Sequence, residues 1–203
     1  MSIIDKVIAA VTPPESEDAR QEARAKALAS AMPGDWLSMV LTHHQHIEAA
    51  FAAVESAANA NARVAAQKKL AILLTGHANA EESVLYPALA ALDEKSHATM
   101  AYEEQAAAKT QMGLLETIAP MTQEYLDKLE HIRGAVAHHM YEEENGWFIG
   151  LRQKALAADQ SRLTQRYKEE FIRYVGTDSE DDVVRLGVPN EIPVTDDRTP
   201  GMR

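Results

Sequence analysis

Two segments of the chain, 62 residues apart, carry the same arrangement of a histidine, two glutamates, an aromatic and a leucine. The first reads His77-x-x-x-Glu81-Glu82-x-x-Leu85-Tyr86-x-x-Leu89 and the second His139-x-x-x-Glu143-Glu144-x-x-Trp147-Phe148-x-x-Leu151. Positions four apart on an α-helix share a face, so each segment aims an imidazole and a carboxylate at one point. Two such helices packed face to face would make a metal site. Nitrogen and oxygen donors, in a chain without cysteine, suit iron, manganese or zinc better than copper(I) or an iron-sulfur cluster.

Four long helices are expected to position these residues. Helix A, from Trp36 to about Ala58, places Met39, Val40, Ile47, Ala50, Phe51 and Val54 on one stripe, and His44 falls on it. After a turn at Asn59-Ala60-Asn61, helix B runs from about Ala62 to Leu85, with Leu70, Leu73, Leu74, His77, Glu81, Val84 and Leu85 facing inward. Pro87 should disturb its end, because a helix-interior proline loses a hydrogen bond and clashes with the preceding turn. Helix C spans about Asp93 to Ile118, and Pro120 closes the connection to helix D. Helix D starts near Thr122 and carries Leu126, Leu129, Ile132, Val136, His139, Glu143 and Trp147, with Gly146 a weak point.

The flanks read differently. A short amphipathic helix (Val7 to Val11) precedes Thr12-Pro13-Pro14, and a second helix follows, capped by Ser16, with Glu17 and Asp18 in its first turn. Pro33-Gly34-Asp35 ends it. Beyond the four helices, about Asp159 to Val175 forms another, with Leu163, Tyr167, Phe171 and Tyr174 on one side, expected to pack outside the bundle. From Gly176 the composition turns acidic and rich in Pro and Gly, as in an extended or disordered tail. The division is therefore an N-terminal extension over 1–35, a bundle over 36–157, a C-terminal helix over 158–175 and a tail over 176–203. The fold class is all-α, an up-down-up-down four-helix bundle, which buries metal sites between facing helices.

Composition narrows the function. At 203 residues, one domain with a full core is expected. With 20 Lys and Arg against 31 Asp and Glu, the net charge of -11 repels phosphate backbones and anionic lipid, disfavouring nucleic acid and membrane surfaces as partners. Without cysteine, disulfides and thiol catalysis are excluded, and a reducing compartment fits. No apolar run approaches the roughly 20 residues of a membrane helix, and Asp5 ahead of the first apolar stretch suits a cleaved signal poorly. A soluble, cytoplasmic protein is expected.

A single His-x-x-x-Glu pair on an acidic helix is usually solvated surface. Here both pairs lie on apolar stripes, where an unpaired carboxylate is costly to bury, both precede an aromatic and a leucine at equal distances, and His44 makes a third. In these residues the chain resembles the hemerythrin-like family with HHE cation-binding domains. His44, Ile47 and Phe51 match the family's first helix, His77, Glu81, Tyr86-Pro87 and Leu89 its second, and His139, Glu143 and Phe148 its fourth. The resemblance covers roughly Trp36 to Leu156. It implies that His44, His77 and His139 are terminal ligands and that Glu81 and Glu143 bridge two non-haem irons, with or without an oxo or hydroxo bridge. A carboxylate has two oxygens and can span two cations, so the residue chemistry allows the same roles.

Helix C departs from that pattern. It reads Tyr102-Glu103-Glu104-Gln105, with Gln105 in place of the family's histidine, and a neutral amide is a poor iron ligand. Either Glu104 supplies a carboxylate or that iron keeps an open position. Glu104 is preferred, giving the metal set His44, His77, Glu81, Glu104, His139 and Glu143. Glu103, Glu48 and His97 read as surface, and His43 and His46 as outer or surface positions. His138 and Glu142 duplicate the spacing but not the alignment of the repeat, and Tyr86, Tyr102 and Tyr141 could each donate to a ligating carboxylate, with ordinary packing preferred.

The resemblance implies a di-iron protein that binds or reacts with O2 or a related small oxidant, peroxide or nitric oxide. An alternative is an iron or oxygen sensor that signals through metal-dependent ordering. A ferritin-like ferroxidase would want two Glu-x-x-His pairs, and only Glu94-x-x-His97 has that form. A metal-free bundle is the remaining alternative. No nucleophile or catalytic triad is visible.

Overall fold

A computed structural model of the chain describes residues 15–92 and 94–176. The expected helix around Val7 to Val11, the start of helix C at Asp93 and the acidic tail beyond Gly176 lie outside the described residues. Among those described, all regular structure is helical: α1 (Glu17–Ser30), α2 (Trp36–Glu55), α3 (Ala60–Ala80), α4 (Tyr86–Ala91), α5 (Lys95–Leu115), α6 (Gln123–Glu142), α7 (Phe148–Lys154) and α8 (Ala157–Val175).

Helix starts follow the capping chemistry of the sequence. The side chains of Ser16, Asp35, Asn59 and Thr122 each accept a backbone N–H three residues on, satisfying a donor the helix leaves orphaned. Gly34, at φ 79°, makes the reversal between α1 and α2 in a conformation other residues rarely adopt. At the far end of α2, buried Arg63 donates to the carbonyls of Val54, Glu55, Ala57 and Pro120. A guanidinium there satisfies orphan carbonyls and complements the helix dipole.

Helices B and D are each broken by a π-helical turn, Glu81–Leu85 joining α3 to α4 and Glu143–Trp147 joining α6 to α7. Both begin at the cassette glutamate. Helix B was expected to run unbroken to Leu85 with the disturbance at Pro87; it changes geometry four residues earlier and continues to Ala91. The wider turn resolves the proline problem, since Pro87 falls in the first turn of α4, where its missing N–H costs little. Gly146, the expected weak point, lies inside the second π turn.

The core is contributed by α2 (Trp36, Leu37, Val40, Ile47, Phe51), α3 (Leu70, Leu73), the paired cassettes (Leu85, Leu89, Phe148, Leu151) and α6 (Tyr125, Ile132). Helix α2 packs on α3, α3 touches α5, α5 packs on α6, and α6 returns to α2, so four helices enclose the cassettes. Helix α8 corrects the expectation that it stays outside. It packs along α3 and the first π turn, and its Tyr167 and Phe171 are part of the core. Gly76 permits this approach: a Cβ there would collide with Val175 and touch the Phe171 ring at 3.6 Å.

Candidate metal centre

The helical pairs and the π turns bring four cassette and stripe residues to one buried point. One donor atom each from His44, His77, Glu81 and Glu143 lies within 4.8 Å of the others, and all four side chains are buried. His77 Nε2 is 3.3 Å from Glu81 Oε1, and His44 Nε2 is 3.3 Å from Glu143 Oε2. None of these four atoms has a hydrogen-bond partner among the described residues. Four orphaned buried polar atoms facing one another are costly by themselves. Two donors about 2.1 Å from one cation stand roughly 3.0 to 3.4 Å apart in octahedral or tetrahedral geometry, so the observed spacing fits a cation between them.

The other oxygen of each glutamate faces a second group. Glu143 Oε1 is 3.3 Å from His139 Nε2, and the Tyr86 hydroxyl sits 2.9 Å from Glu143 Oε1, 3.2 Å from Glu81 Oε2 and 3.0 Å from His139 Nε2. Gln105 Nε2 donates to Glu81 Oε2 at 2.6 Å and to the Tyr86 hydroxyl at 2.5 Å. His139, Glu81 and Glu143 thus converge on the Tyr86 oxygen. Tyr86 is therefore not ordinary packing. The π turn puts it there: in an unbroken α-helix residue 86 would lie about 140° around from residue 81, and the added residue in the turn rotates it back.

Each histidine presents Nε2 because Nδ1 is held from behind. His44 Nδ1 is 2.7 Å from Glu144 Oε1, His139 Nδ1 is 2.8 Å from Glu104 Oε2, and His77 Nδ1 is 3.1 Å from the Tyr167 hydroxyl. Tyr167 is also 2.9 Å from His43 Nδ1, and the His43 ring stacks on Phe171 with centroids 3.8 Å apart. Such outer partners fix the tautomer and ring orientation of a metal-ligating histidine. Glu104, expected as a ligand, is placed in this outer role. Its position two turns before Met112 on α5, half-exposed, reaches the back of His139 rather than the Glu81–Glu143 side.

Electrostatics follow from burial and these pairings. Burial lowers the His44 pKa, but Glu143 and Glu144 outweigh it and hold it up at about 9. Burial, reinforced by His44, pushes His77 well below its ordinary value. Glu81 is driven up by burial and by Glu143, while Glu143 is held down because His139 and His44 overcome its burial. Of the two carboxyls, Glu81 thus favours its neutral form and Glu143 its charged form.

Other tempting residues go elsewhere. His97 stacks on Trp147 and pairs with Glu94, His138 and Glu142 join Glu15 in a half-buried group on the outside, and the Tyr102 hydroxyl donates to the backbone of Glu82. Sequence reasoning missed Glu144, Arg24 and the role of Tyr167. Glu144 sits in the cassette's acidic pair and Tyr167 is a polar tip on an apolar stripe, both visible signals. Nothing in the sequence marks Arg24, which donates to Glu144 and to Glu48 across helices.

A helical bundle with a buried histidine and carboxylate cluster defines the class of metal-binding helical proteins. The family model described as hemerythrin HHE cation binding domain matches residues 37–148, more than half of the chain, and the chain belongs to that family. A protein named DNA nickase from Nostoc sp. (strain PCC 7120 / SAG 25.82 / UTEX 2576) is 31% identical over 98 residues, covering 48% of this chain and 27% of the relative. The chain thus aligns with about a quarter of that protein's length. No solved structure matches the chain significantly. No helix among the described residues is long and apolar enough to cross a membrane.

Proposed function

We propose that the chain is a non-haem di-iron protein that binds or reacts with O2 or a related small oxidant, peroxide or nitric oxide, inside an up-down-up-down four-helix bundle. The observation that carries this reading is the set of four buried, orphaned donor atoms on His44, His77, Glu81 and Glu143. The first ion would be held by those four residues, the second by His139 with the remaining oxygens of Glu81 and Glu143. Bound iron would supply redox electrons and a position open to a small ligand. The chain itself does the rest: Glu144, Glu104 and Tyr167 orient the imidazoles, apolar neighbours exclude water, and Tyr86 holds a proton between the two carboxylates until a second ion displaces it. The functional unit exceeds residues 36–157, since α1 and α8 supply Arg24 and Tyr167.

The test is rapid mixing of anaerobic, ferrous-loaded protein with O2, hydrogen peroxide or nitric oxide. A saturable change in visible absorption that is absent from His77→Ala is expected. No spectral change with any of the three contradicts the reading.

A second reading, iron or oxygen sensing, is favoured by the ties from α1 through Arg24 and Glu144 to His44, and from α8 through Tyr167 to His77. Both flanking helices would tighten when the imidazoles are fixed by a cation. Limited proteolysis with and without iron tests it, and equal cleavage of both flanks in the two states contradicts it.

A further inference from the structure

Helix α6 carries another His-x-x-x-Glu pair, His138 and Glu142, one residue ahead of the cassette pair and therefore turned about 100° away from it. Positions four apart share a face, so this pair converges on the outside of the bundle while His139 and Glu143 face the buried centre. A third donor arrives from far off in sequence. Glu15, just ahead of the Ser16 that caps α1, brings Oε1 to 2.9 Å from His138 Nδ1. One donor atom each from Glu15, His138 and Glu142 lies within 4.8 Å of the others.

Two carboxylates are thus held close together without a basic side chain to offset them. Among the described residues neither Glu15 nor Glu142 meets a Lys or Arg, and the Glu142 carboxylate has no hydrogen bond or ion pair. Elsewhere on the surface Glu82, Glu94 and Glu130 are met by Lys109, Lys154 and Arg133. Like charges at this separation repel, and a chain of net charge -11 offers them no background relief. The side chains of His138 and Glu15 are 28% and 12% exposed, so an ion can enter from solvent while the fold stays intact.

We propose that Glu15, His138 and Glu142 form a further cation site, separate from the buried centre, for a divalent ion of the zinc class, with water completing the coordination and the ion fixing the start of α1 against α6. One imidazole and two carboxylates suit zinc, whereas magnesium and calcium favour oxygen donors alone. Two carboxylates neutralise the ion's charge, and three protein ligands with one open position is a set zinc adopts. Ligand atoms on one tetrahedral zinc stand about 3.3 Å apart, and half-exposed side chains reach that spacing by small rotamer changes. The hydrogen bond between His138 and Glu15 is replaced by bonds from both to the ion. No residue of the buried centre takes part, so the two sites can fail or succeed separately.

The experiment counts zinc bound to the full chain by competition with a chromophoric chelator, in millimolar magnesium, for His138→Ala and Glu142→Gln in both the wild-type and the His77→Ala backgrounds. In either background one zinc equivalent should be weakened about tenfold or more by each substitution, as the loss of one donor in three requires. Both substitutions alter half-exposed side chains, Glu142→Gln preserves the shape, and circular dichroism checks that each variant is folded. Amide hydrogen exchange in the first turns of α1 should slow when zinc is added to His77→Ala, and should not respond once His138→Ala is combined with it. The proposal is overturned if zinc number and affinity are unchanged by His138→Ala and Glu142→Gln, if magnesium displaces the equivalent these residues hold, or if zinc leaves exchange in α1 unaltered. Failure of the buried centre reads out differently: His77→Ala would then bind as much zinc as the wild type, with the outer equivalent still present in both.

Discussion

Arg24 donates to both oxygens of Glu144 at 3.0 to 3.2 Å, from a helix that precedes the family-matched region to a glutamate buried beside the site. Glu144 accepts in turn from His44 Nδ1. The N-terminal helix is thereby connected to a candidate ligand through two polar contacts.

Removing that connection should loosen the site without dismantling the bundle. Glu144→Gln is expected to weaken metal affinity by about 10- to 100-fold, the usual effect of losing an outer partner of a ligating histidine. Arg24→Ala should do less, because Arg24 is partly exposed and solvent screens its pairs. Competition with a chromophoric chelator measures both. Equal affinity in wild type and Glu144→Gln would show that the His44 tautomer does not depend on Glu144.

The second metal position should be the weaker one. Tyr86 and Gln105 hold hydrogen bonds to the atoms a second ion would use, so loading it must displace them. Titration with ferrous iron should show a tight step followed by a weaker one. Gln105→His, which replaces a poor ligand by an imidazole, should strengthen the second step and leave the first nearly unchanged. Two identical steps in the wild type would contradict this.

Metal uptake should depend on pH in a definite direction. His44 is held protonated up to about 9 in the metal-free protein, and a protonated imidazole cannot ligate. Binding at neutral pH therefore expels that proton, so affinity falls as pH falls, by about one decade per pH unit for each proton released. Calorimetry in buffers of different ionisation enthalpy counts the protons. An affinity constant across pH 6 to 8 would be inconsistent with His44 as a ligand.

Gly76→Ala tests the docking of α8. A Cβ at this position meets Val175 and Phe171, and overpacking of this kind costs about 1–3 kcal/mol. The helix-propensity gain of up to about 1 kcal/mol offsets only part. A lower Tm is expected, together with weaker metal binding if α8 draws Tyr167 away from His77. A stabilised variant would mean that α8 does not approach α3 this closely.

The repeated cassette and the His44 stripe were readable because 3.6-residue periodicity relates spacing directly to direction. That same periodicity hides how directly Tyr86 reaches both carboxylates. The rule assumes an unbroken helix, and two residues that look 140° apart on a wheel share a side once a π turn intervenes. Neither Glu81 nor Gly146 signals such a turn by composition. Glu104 meets His139 Nδ1 instead of joining the cluster for a related reason: position on α5 gives the face, while which nitrogen of His139 it meets depends on where α5 lies against α6. Arg24 and Tyr167 reach the site through tertiary packing of flanking helices, which a local pattern does not encode. Capping, by contrast, is local, and Ser16 caps α1 as its sequence indicates.

The most direct test of the account is the iron retained per chain after anaerobic loading and desalting, read by elemental analysis with the visible spectrum after oxidation, for wild type and His77→Ala. The account predicts up to about two irons per chain in the wild type, as two bridging carboxylates allow, with ferric absorption, and a loss of at least the tight equivalent in His77→Ala. No retained iron, or equal retention in the two proteins, would contradict it.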